Sequence, residues 1–565
     1  MTTDPSSFPK EPARMENKDL EAEIHPLKNE EGKGPEGLAN CTQKEAAPKK
    51  LKRLSRWRTA AFFLSLFLCL TVVFAFSFII PCPVRPISQR MWSRTYEDTA
   101  TYAFLAMQDV NKDRVQDVLF AFKAASASSN STNSSCASQG LASPCAFLAA
   151  HSGTNGSTLW QRPVAQELLL MDCSREQDHT PACLIVGEPD ILAAIDLETG
   201  QTLWNEAANL RPNSTVLSPL LKIPDVDGDS TSDLLVFAET GEEIQAHFYS
   251  GKHGTQIGSI GTLHLPGRVG HLMQVTPKDS HYVLLYTAKA LYAYSLKALC
   301  QIAFSSTAHS SSGLTEDPLW EMAIDSATRQ ITLLSTGEIR YLTKMPVSSS
   351  ADFLVSRSNM IELVDGQRLG SMWVTETPHI LSEPVLGAYR PDEVDVIVMT
   401  RDSSRKKVMV MEGTSGDIEW EAGLKLLSGT DSPRPATLST LDRRSVFLFW
   451  GQYQRDANGT GSWDSAQQQL YMFHPALPNV LLETSNVTEH IVAFEGVLFE
   501  RSRHACYVLL TGPQVGQAPG QVMLSKWKLK EAIAGSRVIW LNQVAHNSEQ
   551  SVRERFLRTR YRSPQ

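Results

Sequence analysis

The chain has 565 residues, 42% of them hydrophobic, 8% aromatic and 20% charged, with 53 Lys and Arg against 61 Asp and Glu. These values belong to a folded protein and exclude collagen-like, coiled-coil and wholly disordered classes. The formal net charge is −8, and since residues 1 to 58 hold 12 basic and 10 acidic groups, the acidic excess lies in the remainder. No nucleic-acid partner is expected on that balance.

Residues 1–58 are rich in Glu, Lys, Pro and Gly and poor in large apolar side chains, which predicts a disordered tail. Residues 59–80, from Thr59 to Ile80, carry no charge; as a helix they would reach about 33 Å, enough for one bilayer crossing. Lys49, Lys50, Lys52, Arg53, Arg56 and Arg58 precede this run, whereas Arg85 and Arg90 follow it. The positive-inside rule then places the N-terminus in the cytoplasm and predicts a type II signal-anchor. A cleaved signal peptide would lie at the N-terminus and end in a small-residue site, neither of which is seen. A stalk is expected over 81–98, a large ectodomain over 99–550 and a solvated basic tail over 551–565, where Arg553, Arg555, Arg558, Arg560 and Arg562 cluster.

Two features agree with export of the C-terminal part. Glycosylation sequons fall at Asn130, Asn133, Asn155, Asn213, Asn458 and Asn486, all beyond the apolar run. Cys82, Cys136, Cys145, Cys173, Cys183, Cys300 and Cys506 also lie beyond it, in an oxidising compartment if the orientation holds. Cys136 with Cys145, and Cys173 with Cys183, are close enough to close small loops. Cys82 is the candidate for an intermolecular bridge and hence a dimer, with a free or lipidated thiol as the alternative.

Short apolar runs start near Asp117, Cys183, Asp233, Tyr282, Gln330, Asp395, Ser445 and Cys506, at intervals of 48 to 66 residues. Each follows another apolar stretch and a polar turn, and most lead into a second hairpin, as in the segments around Ala193, Tyr292, Met409 and Tyr471. Repeated units of three or four strands predict an all-β chain, a single large β-propeller of seven or eight blades. Two stacked sandwiches are the competing architecture, disfavoured because no Pro/Ser-rich linker divides the chain. Trp160, Trp204 and Trp420 each end such a hairpin four residues after Gly156, Gly200 and Gly416. Packing between adjacent units is the expected use of these indoles, with a quinone or glycan platform as the alternative.

Two turns are chemically distinct. Asp109, Asn111, Asp113 and Asp117, and again Asp225, Asp227, Asp229 and Asp233, put oxygens at positions 1, 3, 5 and 9 of a loop leading into a buried strand. A hard cation such as Ca²⁺ takes six to eight oxygens, and odd positions of a tight turn can aim several inward. An EF-hand needs Gly at position 6 and Glu at position 12; here Arg114 and Phe120, or Ser230 and Val236, stand there. Asp225-Val226-Asp227 alone also fits the metal-nucleotide element of a glycosyltransferase, but its twin upstream favours a structural ion. In the second unit Cys173 and Cys183 flank the corresponding turn, so a disulfide is expected to replace the ion there.

The strand, acidic turn and apolar strand, repeated along the chain, resemble the FG-GAP repeat of integrin α-chain propellers. With the anchor and a single ectodomain, the whole chain resembles the family of type II membrane proteins that carry such repeats. The resemblance implies an FG-GAP-like propeller with Ca²⁺ at the two full turns. The Phe-Gly and Gly-Ala-Pro signatures are mostly lost, with Leu386-Gly387-Ala388 echoing them, and integrin ligands do not carry over. No nucleophile elbow, zincin pair or Walker loop is present. The expected role is a non-enzymatic, protein-binding module at the cell surface or in the secretory pathway, with an unknown protein partner. The alternative is a luminal glycan-processing or quinone-dependent enzyme.

Overall fold

The computed structural model describes residues 56–79, 91–125, 135–174, 182–241, 243–304, 313–346, 351–402, 405–425, 433–453, 467–499, 505–541 and 548–563. The chain divides into two compact units, Met1–Val84 and Arg85–Gln565. In the first, helix α1 runs Arg56–Ile79, over the expected apolar run. Its side chains are described at Trp57 and from 60 to 74. Among the described residues no helix is long and apolar enough to cross a membrane. The tail, Cys82, Asn130, Asn133 and Asn458 lie outside the described residues.

The second unit is an all-β propeller. Strands β1 (Met91–Gln108), β2 (Asp117–Ala124), β3 (Cys145–His151) and β4 (Thr158–Ala165) form antiparallel neighbours. Strands β5 (Glu167–Ser174), β6 (Ala182–Glu188), β7 (Ile191–Asp196) and β8 (Thr202–Glu206) make the next sheet, and β9 (Thr215–Ile223), β10 (Asp233–Thr240), β11 (Glu243–Tyr249) and β12 (Gln256–His264) the one after. Four further sheets follow in chain order, built from consecutive strands except that Arg537–Trp540 adds to the one ending in Val480–Val487; the sheet that holds β1 is the larger exception, joining the two ends of the chain.

That exception closes the ring. The first part of β1, from Met91 to Thr99, pairs with Gly520–Lys528, whereas the part from Ala100 to Gln108 pairs with β2. Register shifts between Tyr96 and Thr99 and between Thr101 and Leu105 let one strand serve both neighbours. The expected stalk therefore ends earlier than 98, because residues from Met91 onward are strand.

The second strand of most sheets is apolar on both faces because a neighbouring sheet covers each side. In β2, Val118, Phe120 and Phe122 pack with Val508 and Leu510. Leu119 and Ala121 in the same strand pack with Ile185 and Ala193. The core thus sits between successive sheets, and a continuous apolar run replaces the alternation of a half-solvated strand.

Four expectations need correction. Gln330 does not open a second strand: Gln330–Ile331 is the last strand of its sheet, and the next second strand is Phe353–Arg357, preceded by Asp352. The segment after Tyr292 is not a hairpin but helix α2 (Leu296–Ala303), whose buried Leu296, Leu299, Cys300 and Ala303 recur at helical spacing below an N-cap at Ser295. The apolar stretch before Gln330 is no strand either but helix α3 (Pro318–Ala323), capped by Asp317. The C-terminal segment is no solvated tail: after α4 (Leu529–Ala534), α5 (Glu549–Arg558) buries Val552 and Phe556 in the core.

Candidate metal site

The acidic turns join the first and second strands of their sheets, β1 to β2 and β9 to β10. Each is a ladder of side-chain acceptors on backbone amides. In the second turn Asp225 accepts from Gly228 N at 2.6 Å and Ser230 N at 2.7 Å, Asp227 from Asp229 N at 3.0 Å, and Asp229 from Thr231 N at 2.8 Å. Ser230 takes a positive φ of 67° to close the turn. The outcome is a convergent group in which one carboxylate oxygen each from Asp225, Asp227 and Asp229 lies within 4.8 Å of the others. Burial pushes the Asp225 carboxyl up, but the amides of Gly228, Ser230 and Asp229 outweigh it and hold the group below the usual carboxylate range.

The donor set fits a hard cation. Two oxygens that share a Ca²⁺ at about 2.3–2.6 Å are at most about 5 Å apart, which the trio already satisfies. In the first turn Asp113 accepts from Val115 N at 2.8 Å and Asn111 from Asp113 N at 3.0 Å, while Arg114 N donates to Asp109 Oδ2 at 3.1 Å. Oδ1 of Asp109 is buried without a hydrogen-bond partner, a desolvated acceptor that a cation would satisfy. The Asn111 amide also donates to Asp113 at 3.2 Å, a contact that a carboxylate at this position could not make.

The position-9 residues behave differently from expectation. Asp233 does not join the trio; it accepts from Val226 N at 2.7 Å and from Gly251 N, beyond β11, at 3.1 Å. Asp117 repeats the pattern with Val110 N at 2.9 Å, Asn111 N at 3.2 Å and Gly153 N at 2.8 Å. Burial, partly offset by these amides, pushes both carboxyls up to about 6. Asp352 accepts from Gly366 N at 2.8 Å, and Asp395 from Tyr389 N at 2.6 Å with Gly413 also donating. These aspartates tie the entry of the second strand to the exit of the third, a role that spacing alone did not reveal.

Those exits carry the tryptophan contacts. Gly156, Gly200, Gly254 and Gly416 have φ between +66° and +77°, and a Cβ on them would meet the indoles of Trp92, Trp160, Trp204 and Trp373 respectively. Trp160 Nε1 donates to Leu197 O at 2.8 Å and Trp373 Nε1 to Gly413 O at 3.0 Å. Trp160 and Trp204 thus join one sheet to the next, as expected. Trp420 stacks on Phe473 at 3.9 Å and donates to Pro478 O at 2.9 Å.

Both expected disulfides are present: Cys136–Cys145 with Cα atoms 5.8 Å apart, and Cys173–Cys183 with Cα atoms 4.0 Å apart. The second pair sits on directly opposed residues of β5 and β6, flanking the turn that corresponds to the acidic loops. Cys300 is free and buried, and burial pushes its thiol up to about 12; Cys506 is also buried outside both bridges. The described sequon residues Asn155, Asn213 and Asn486 are all exposed.

The fold and these turns define a class, an all-β propeller whose sheets are locked by repeated aspartate and tryptophan contacts. The profile of the FAM234A/B beta-propeller family matches residues 92–562, and the chain belongs to that family. It is 45% identical over 557 residues to Protein FAM234A of Homo sapiens, covering 97% of this chain and 100% of that one. It is 28% identical over 548 residues to Protein FAM234B of Homo sapiens, covering 93% of this chain and 85% of that one. Among solved structures, BamB from Moraxella catarrhalis aligns with a TM-score of 0.40 at 12% identity, covering 78% of this chain and 99% of that one.

Proposed function

We propose that the chain is a single-pass type II membrane glycoprotein whose eight-bladed, calcium-stabilised propeller presents its loops to a protein partner at the cell surface or in the secretory pathway. The count of eight comes from dividing the seven-stranded sheet at β1 into two four-stranded blades and taking the other six sheets as one blade each. The uncharged run inside α1, with basic residues before it, supports the anchor. Exposed Asn155, Asn213 and Asn486 support the glycans.

The convergence of Asp225, Asp227 and Asp229 carries the calcium reading. Its role is structural: an ion bound by the native state alone adds RT ln(1 + [L]/Kd), about 2.7 kcal/mol at a hundredfold excess over Kd. Thermal unfolding of the full-length protein before and after chelation tests it. A lower melting temperature after chelation is expected; no change, in a sample shown to start with bound metal, rejects it. The quinone form of the enzyme alternative stands second, because Trp160, Trp204 and Trp420 are engaged in packing between sheets. Proximity labelling from the C-terminal side in living cells tests the interaction role, and recovery of cytosolic proteins alone would reject the proposed topology.

A further inference from the structure

We propose that the cavity beneath the C-terminal helix is a binding site for an amphiphilic organic anion, a carboxylate, sulfate or phosphate carried on an apolar chain or ring. The cavity measures about 350 Å³ and is lined by α5, the residues after it, the turn around Leu441 and the loop after the strand Gln468–Phe473. That volume suits a small organic molecule.

Its walls divide by chemistry. Leu441, Leu477 and Phe556 supply apolar surface, and Leu441 is 55% exposed. Arg555, Arg558 and Arg560 supply positive charge. Arg558 lies 3.5 Å from Glu554, but Arg555 and Arg560 have no ion pair among the described residues. One acid, Asp442, also lines the cavity; Arg444 stands 3.7 Å from it and offsets its charge.

His474 adds a directed donor. The Ala476 amide donates to its Nδ1 at 3.0 Å, so the proton of the neutral ring is on Nε2. Asp442 Oδ2 stands 3.9 Å from Nε2, outside hydrogen-bond reach. The imidazole is 8% exposed and lies edge-on to Phe556 at 6.3 Å, where the apolar and cationic walls meet.

The arrangement is held in place before any ligand arrives. Leu441 N donates to Arg560 O at 2.8 Å and Arg562 N to Ser439 O at 2.9 Å, which pins the chain after α5 to the adjacent hairpin. Buried Val552 and Phe556 anchor the helix itself. Guanidinium groups on a fixed scaffold can share the oxygens of one anionic head, while the apolar body covers Leu441 and Leu477.

Calorimetric titration of the full-length protein in phosphatidylcholine nanodiscs, against empty discs, tests the site. The probes are octanoate, octyl sulfate and octyl phosphate, with octanol and inorganic sulfate as body-only and head-only controls. Saturable binding of at least one octyl anion is expected, at least tenfold tighter than either control, and the preferred arm identifies the head group. R555Q/R560Q should weaken it at least tenfold without moving the unfolding midpoint, and L441W should block it by filling the mouth. Equal binding of octanol or of inorganic sulfate overturns the proposal. So does unchanged affinity in both variants, or no binding of any octyl anion.

Discussion

Asp233 and Gly251 are joined by a 3.1 Å hydrogen bond from the glycine amide to Oδ1, across β10 and β11. The contact requires close approach, since a Cβ on Gly251 would overlap the Ser232 carbonyl oxygen. Gly251→Ala should therefore destabilise the propeller by about 2 kcal/mol or more. Gly423 is the control: it lies in the strand Ile418–Lys425 with open space around it, and Gly423→Ala should be neutral or stabilising by about 0.5 kcal/mol. Denaturant midpoints of the two variants decide it, and equal midpoints would remove the latch.

A tryptophan contact makes a second prediction. Trp160 from β4 stacks on Gly200, which follows β7, and donates to Leu197 O at 2.8 Å. Trp160→Phe keeps an aromatic ring and loses that hydrogen bond, for about 1 kcal/mol. Gly200→Ala meets both a φ of +66° and an indole 2.6 Å from the new methyl group, so it should cost more than Trp160→Phe. The reverse order in chemical unfolding would show that the sheets are not joined here.

His271 gives the propeller an acid-sensitive element. It is buried on the strand Gly270–Val275, with Nε2 2.6 Å from Pro219 O, its ring beside Phe237, and Nδ1 without a partner. Burial pushes its pKa down to about 4. The unfolded chain takes up the proton near pH 6.5, so stability from this group is complete above that value and is lost as the pH falls toward 4. His271→Gln keeps a donor for Pro219 and removes the titration. The stability of the parent relative to this variant should be constant above pH 6.5 and fall by about 1.4 kcal/mol per pH unit below it. A difference independent of pH from 7 to 4.5 would contradict it.

The second strands were legible because both faces are covered. Asp117, Asp233 and Asp395 open strands whose apolar runs need no alternation to be found. The step from Tyr282 to Asp352 was misread because α2 and α3 stretch that sheet, and because Ser356 and Arg357 interrupt the run. Asp109, Asp225 and their neighbours were found by spacing, but spacing gives every acid in a turn the same role. Only the fold shows that Asp227 faces its fellow carboxylates while Asp233 serves two backbone amides. At the C-terminus five arginines masked Val552, Phe556 and Tyr561, whose burial depends on a partner sheet far away in sequence.

Different devices hold equivalent turns. Cys173–Cys183 closes a loop of sequence separation 10 between β5 and β6, and constraining such a loop in the unfolded chain is worth about 3 kcal/mol in the entropic account. Asp225, Asp227 and Asp229 occupy the same connection between β9 and β10. C173S/C183S should lower stability by roughly that amount and leave the response to chelator unchanged, because the proposed ion site is untouched. Asp227→Asn should reduce the chelator response while the disulfide still appears in a non-reducing peptide map. Combined, the losses should add to within about 0.5 kcal/mol, since the two turns share no partner. Loss of the chelator response in C173S/C183S alone would mean that the turns are coupled, and that disulfide and ion are not separate solutions to one local problem.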